Sequence, residues 1–269
     1  MKRILFLLLF ISFCSIAFAH TIRWHIDGAV YQTDTCTSGD NITPPTPPEK
    51  LGHTFVGWRL YTPLEYIQST GTQYIDTGIA FTDALKAYPF VVDFTVALTQ
   101  SYTTKTFAYF AGGPVRVMQN LQLRWGTAEG QNIYMYVSGG GQADGAGAGR
   151  YAAYEPVHLR YEFDTDGKYS ISGDFSRENI NLPGDNYLKT STQTIFLFKA
   201  RATESYDGTT TTAPVRVYRW SYESNGVKLR DFIPVLDING VACMYDLVTH
   251  TFFYNAGTGN FIAGPEVGE

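Results

Sequence analysis

The chain has 269 residues, of which 44% are hydrophobic, 17% charged and 15% aromatic, with 26 glycines and a net charge of −5. There is enough apolar side chain for a core and too little charge for a chain that stays disordered. The acidic balance speaks against nucleic acid as a partner, because phosphate binding needs a basic surface; the many aromatics and glycines point to short strands joined by tight turns.

The N-terminus carries an export pattern. Lys2 and Arg3 precede the apolar residues 4–13, and Ala17-Phe18-Ala19 gives a small-x-small cleavage site. This reads as a secretory signal peptide over residues 1–19. The alternative, an uncleaved anchor, is disfavoured because the apolar stretch falls short of the ~20 residues that cross a bilayer. A lipoprotein signal at Cys14 is disfavoured by Phe13, which stands where a small residue is required. Cleavage after Ala19 would leave 250 of the 269 residues and, by removing Lys2 and Arg3, move the net charge from −5 to −7. No later apolar stretch is long enough to span a membrane, so the expectation is a protein that is secreted or held at the cell surface, periplasmic or extracellular. Cys36 and Cys243 survive cleavage. Export permits a bridge between them, worth about 4–5 kcal/mol for so long a loop; two separate thiols are the alternative. Their spacing matches no zinc pattern.

Residues 20–61 read as a small module of strand, turn, strand, loop, strand. Residues 21–26 alternate, Asp27-Gly28 is a turn signal, and residues 29–32 resume an extended pattern. Pro44-Pro45-Thr46-Pro47-Pro48 excludes helix and central strand. Trp58 and Phe55 are the expected miniature core, since so small a module has little else to bury. The run Pro47-Pro48-Glu49-Lys50-Leu51-Gly52-His53-Thr54-Phe55-Val56-Gly57-Trp58 resembles the Listeria–Bacteroides repeat, also called the internalin B-type repeat, with His53 in place of the usual tyrosine. That resemblance covers about 40 residues and implies a spacer or adhesive module of a bacterial surface protein.

Residues 62–269 form the second expected domain. Residues 91–98, 121–125, 133–137, 194–198 and 215–222 read as strands, and residues 158–163 and 168–171 as a hairpin across Asp164-Thr165-Asp166-Gly167. Ser224-Asn225-Gly226 turns the chain. The glycine-rich residues 138–149 and the polar residues 208–212 read as surface loops. No amphipathic helical period follows the signal peptide, and many short strands imply a sandwich or barrel.

Two motifs bracket this region. Leu64-Glu65-Tyr66-Ile67-Gln68-Ser69-Thr70-Gly71-Thr72-Gln73-Tyr74-Ile75-Asp76-Thr77-Gly78 opens it. Leu229-Arg230-Asp231-Phe232-Ile233-Pro234-Val235-Leu236-Asp237 and the stretch that follows, ending Phe252-Phe253-Tyr254-Asn255-Ala256-Gly257-Thr258-Gly259, close it. Both resemble the ends of a concanavalin A-like (laminin-G-like) domain of secreted bacterial proteins. The resemblance implies an all-β, two-sheet antiparallel jelly-roll sandwich whose first and last strands are neighbours. It implies structural roles for Arg230 and Asp231, read as a paired Arg–Asp, and core positions for Trp220 and Tyr222, which share a strand face with Tyr218. Relatives often carry a cysteine at the place of Val235, near the counterpart of Cys243, so its absence leaves Cys243 without a local partner.

Glycoside hydrolysis occurs on this fold and needs two carboxylates about 5–9 Å apart. Glu162 and Asp164 are the nearest pair, but the third acid of the usual glucanase string is missing. Residues 164–167 read first as a turn, with calcium ligation as a further alternative; no cofactor is otherwise expected. His20, His25, His53, His158 and His250 show no ligand spacing. Carbohydrate binding is the remaining chemical signal, because sugars stack on exposed rings and are fixed by a few polar groups. Tyr134 and Tyr136 share one strand face, and Gln122 and Arg124 share one on the neighbouring segment. Together these four are the expected ligand patch, with an ordinary solvated face as the alternative. The expected partner is a glycan or other surface polymer; adhesion to surface proteins and hydrolysis of polysaccharide are the rival readings.

Overall fold

The computed structural model describes residues 19–26, 29–37, 40–52, 54–55, 58, 60–80, 89–99, 108–112, 114–115, 121–126, 132–137, 147–150, 152–164, 168–181, 194–199, 201–202 and 214–267. The expected signal peptide, apart from Ala19, lies outside them. Among the described residues there is no helix, and none long and apolar enough to cross a membrane. The chain divides into two compact units, Met1–Arg59 and Leu60–Glu269.

The first unit holds one antiparallel pair, β1 (Ala19–Ile26) and β2 (Ala29–Thr37), with Ile26 opposite Ala29 and a bulge between Trp24 and His25. Asp27 and Gly28 connect them outside the described residues. Trp24 donates its indole N–H to Asp34 Oδ2 at 2.6 Å. Trp58 gathers the remaining rings: Trp24, Phe55 and Tyr31 lie 5.0, 5.2 and 5.9 Å from it, centre to centre. Its indole N–H donates to the carbonyl of Pro45 at 3.0 Å. So Trp58 is the centre of the miniature core, as expected, whereas Phe55 is 43% exposed and only edges it. The expected third strand is absent among the described residues. Its expected place follows the Pro-rich loop, and residues 53, 56 and 57 of that stretch lie outside the described set; the Trp58 side chain ties the Pro-rich segment before it down.

The second unit is an antiparallel two-sheet sandwich. Its strands in chain order are β3 (Thr62–Pro63), β4 (Ile67–Gln68), β5 (Ile75–Ala80), β6 (Phe90–Leu98), β7 (Ala108–Gly112), β8 (Pro114–Val115), β9 (Leu121–Gly126), β10 (Asn132–Val137), β11 (Gly147–Arg150), β12 (Val157–Phe163), β13 (Lys168–Gly173), β14 (Arg177–Asn181), β15 (Thr194–Leu197), β16 (Arg201–Ala202), β17 (Val215–Ser224), β18 (Val227–Leu236), β19 (Ala242–Asp246), β20 (Thr251–Phe253) and β21 (Ile262–Ala263). The larger sheet runs β14-β13-β12-β6-β17-β18-β19-β20, with β4 added beside β17, β21 beside β4 and β3 beside β18. The smaller runs β11-β10-β9-β7-β15-β5. The short parallel pair β8–β16 stands apart. Gly147–Arg150 is thus an edge strand against β10, a correction to the loop expected over residues 138–149; residues 138–146 lie outside the described set. An edge position suits it, because glycine and alanine bring little side chain to pack on a central strand.

Alternation builds the core. On β12, Val157, Leu159, Tyr161 and Phe163 are buried while His158 and Glu162 are exposed. Phe90 stacks on Phe163 at 4.1 Å, and Trp220 packs 5.8 Å from Phe232. β15 is buried on both faces, as its unbroken apolar run predicts. Asn225 and Gly226, at φ +49° and +72°, form the two-residue turn between β17 and β18; the sign of both angles is that of the hairpin turn whose twist matches its strands.

The opening and closing motifs zip together. β4 pairs with β21, Ile67 opposite Ala263. The Asn255 side chain accepts the Tyr74 N–H at 3.1 Å, and the N–H groups of Ala256 and Thr258 donate to the carbonyls of Tyr74 and Thr72. Gly257 is required there: a Cβ on it would lie 2.2 Å from the Thr72 carbonyl oxygen. The first strand, β3, lies beside β18 and meets the closing residues through the Val267 N–H, which donates to the Pro63 carbonyl at 3.0 Å. The last strand, β21, lies beside β4, so the two ends of this unit are neighbours.

Candidate functional site

β17 decides the site. Val215 and Val217 point into the core, so Arg216 points away from it. A bulge falls between Val217 and Arg219 against β6. The extra residue shifts the alternation, so that Trp220 and Tyr222 become the next core side chains and are fully buried. Tyr218 is left on the outward face, where its ring centre lies 5.2 Å from that of Tyr66. This corrects the expectation that Tyr218 shares a face with Trp220 and Tyr222: strict alternation does not pass through a bulge.

Around Arg216 a platform assembles from three segments. Gln68 of β4 is its cross-strand partner and accepts the guanidinium Nε–H on its Oε1 at 2.9 Å. The guanidinium carbon lies 4.3 Å from the Tyr66 ring centre and 5.0 Å from that of Tyr154. Tyr154 is 54% exposed and sits at φ +67°, a conformation tyrosine adopts only when its surroundings impose it. Its N–H donates to the Leu98 carbonyl at 2.6 Å, which fixes it. Tyr66 is pinned from behind by Gly264: the Gly264 N–H donates to the Tyr66 carbonyl at 2.9 Å, and a Cβ on Gly264 would meet the ring at 2.9–3.0 Å. The platform thus presents phenol rings and a guanidinium on one held surface.

The rest of the outward face is an ion-pair network. Arg160 reaches Asp93 at 3.7 Å and Glu162 at 3.3 Å, and His158 Nε2 lies 3.0 Å from Asp93. Asp231, 6% exposed, receives Arg219 at 2.9 Å and Lys228 at 3.0 Å. Burial works to raise the Asp231 pKa, but the hydrogen bonds from Arg219 and Lys228 outweigh it and hold the carboxyl below its ordinary value. Arg230 and Asp231 are not paired with each other, since neighbours on a strand face opposite ways. Arg230 instead donates to the Thr77 carbonyl at 2.9 Å and lies 3.7 Å from the buried Asp246. Asp246 in turn accepts the Asp231 and Val248 N–H groups and the Thr249 hydroxyl.

Glu162 is exposed and engaged by Arg160; Asp164 Oδ1 accepts the Lys168 N–H at 3.0 Å and closes the β12–β13 hairpin. The turn reading of residues 164–167 suits that bond, though residues 165–167 lie outside the described set. Among the described residues no three His, Cys, Asp or Glu side chains cluster as a metal site. For the four residues expected to bind ligand, the register sets Tyr134 opposite Arg124 and Tyr136 opposite Gln122 on β10 and β9. The backbone therefore brings them together, while their side chains lie outside the described residues. Cys36 and Cys243 are both free. Cys243 is buried opposite Val235, and burial together with Asp237 pushes its thiol up to about 12.

Comparison with known proteins adds little. No family model matches the chain, and no curated protein matches it. Among solved structures, Trypanosoma rangeli sialidase bound to 2,3-difluoro-KDN is 13% identical over 67% of this chain, with a TM-score of 0.38. A mutant of that sialidase displaying trans-sialidase activity is 15% identical over 48% of the chain, with a TM-score of 0.34. The chain covers 33% and 20% of those two proteins' lengths. Scytalido-glutamic peptidase with a peptide-based transition-state analogue is 12% identical over 76% of this chain and all of its own, with a TM-score of 0.36.

Proposed function

We propose that this is a secreted, non-catalytic bacterial surface protein that binds glycan or another cell-surface polymer. The observation that carries the reading is the outward platform of Tyr66, Tyr154, Tyr218 and Arg216. Rings on a solvent-facing sheet offer a pyranose its apolar stacking surface, and the nearby amide and guanidinium supply directional polar contacts. The concanavalin A-like reading of the sandwich is supported by the docking of its opening motif on its closing one. The paired backbone positions of Tyr134, Tyr136, Arg124 and Gln122 on the smaller sheet are a second proposed contact. Hydrolysis is disfavoured because Glu162 and Asp164 are engaged by Arg160 and by the hairpin rather than held facing each other.

An adhesive role toward proteins is the second reading. It draws on the exposed apolar residues Ile238, Val241, Leu247, Val248 and Tyr254 near β19 and β20.

Retention of the full chain on a panel of immobilised polysaccharides tests the first reading. Binding to at least one polymer, weakened by Tyr154→Ala, is expected. Absence of retention on every polymer, with a protein recovered by cross-linking at a surface, would replace it with the second.

A further inference from the structure

Among the described residues no carboxylate answers the charge on Arg216. Arg160 on β12 and Arg219 on β17 each meet a carboxylate, and Arg230 on β18 lies near one. Arg216 meets none among the described residues. Its Nε–H goes to the neutral Gln68, its guanidinium rests against Tyr66 and Tyr154, and its terminal Nη groups have no acceptor among the described residues. Its terminal Nη groups are not among the buried polar atoms that lack a partner, so they face solvent, where a ligand can reach them. The rings and the amide leave it oriented, so little rotamer freedom remains to be lost when a ligand arrives.

We propose that the platform selects acidic glycans, with the carboxylate of a hexuronate taken by the terminal Nη groups of Arg216 while the pyranose ring stacks on a tyrosine. The inference rests on the glycan-binding reading above. A planar carboxylate matches the planar fork of a guanidinium in two parallel hydrogen bonds. A sugar that carries such a group on its own ring needs a stacking surface beside the fork, and Tyr66 and Tyr154 stand within 5.0 Å of it. The chain's net charge of −5 repels a polyanion at long range, so recognition has to be this local contact.

Affinity electrophoresis of the full chain in gels containing polygalacturonate, its methyl ester, dextran sulfate or neutral dextran tests the proposal. Polygalacturonate is expected to retard the protein about tenfold more strongly than the methyl ester, the worth of one charge-assisted bidentate contact. Arg216→Gln is expected to abolish that preference while lowering the thermal midpoint by only a few degrees, the loss of its bond to Gln68 and its ring contacts, and Arg216→Lys to restore only part of the preference. Equal retardation by acid and ester, or a preference that survives in Arg216→Gln, overturns the acidic class and leaves glycan binding standing. Dextran sulfate bound as tightly as polygalacturonate overturns the hexuronate assignment. No retardation by any polymer removes the glycan reading itself.

Discussion

Arg216 and Arg219 lie on the same strand and the same outward face, on either side of one bulge, and their surroundings differ in kind. Arg219 is held by the buried carboxylate of Asp231, and the hydrogen bond between them raises the Arg219 pKa above its ordinary value. Its charge is answered within the fold. Arg216 is surrounded by an amide and phenol rings, groups that orient a cation without neutralising it. The contrast separates an arginine that fastens strands from one that is presented. Exposure alone would mislead, because the fastened side chain is the more open: Arg219 is exposed and Arg216 half-buried.

The largest effect is expected at the fastened arginine. Asp231→Asn leaves Arg219 and Lys228 around a neutral group, and a loss of about 1–3 kcal/mol is expected, read as a lower urea midpoint at unchanged slope. Polymer binding should stay within about twofold, because the two arginines share no partner. A binding defect without a stability defect in this variant would mean that the roles are reversed.

Proton linkage sharpens the same point. The carboxyls of Asp231 and Asp237 are held below the ordinary value. For Asp237, burial works upward but is outweighed by hydrogen bonds from the Val241 and Asn239 N–H groups and the Tyr254 hydroxyl. Their stabilisation is present above the ordinary aspartate value of about 3.9 and is lost as pH falls through their lower folded-state values. Cys243 and Tyr254 are raised to about 12, each first by burial. Their contribution is present below their ordinary values of about 8.5 and 10 and is lost as pH rises toward the folded ones. Thermal midpoints measured across pH should therefore form a plateau between about 5 and 8. Asp237→Asn should flatten the acid limb, and an acid limb identical to that of the parent would exclude this carboxylate as its source.

The smallest effect is expected at Tyr154. Asparagine tolerates the left-handed conformation that tyrosine resists by about 1 kcal/mol, but Tyr154→Asn also removes a ring from Arg216, worth about 0.5–1 kcal/mol. The net stability change should stay within about 0.5 kcal/mol on these two opposing terms, while polymer binding falls. A clear loss of stability would show the ring to be a packing element rather than a presented one.

Much of the scaffold was legible in the sequence because alternation is local. The hairpin of β12 and β13, the turn at Asn225-Gly226 and the doubly buried β15 all follow from residues within a few positions of each other. The edge strand Gly147–Arg150 was not legible, since its small residues carry no pattern and only the neighbouring β10 makes it a strand. Of the platform, Tyr66 and Gln68 stand inside the opening motif, strict alternation puts Tyr218 on the wrong face, and Tyr154 carries no signal. The usable hint was Arg216 between two core valines, a cation that alternation must aim outward.

The amino acids by themselves determined that this chain is all-β, where most of its strands run and which side chains alternate, because backbone geometry gives a strand a period of two. Only the tertiary structure decided that residues 66, 154, 216 and 218 share one surface. Their meeting depends on which distant strands pair and on a bulge in β17 that reverses the alternation midway. Both are set by non-local packing, which no short window of sequence contains.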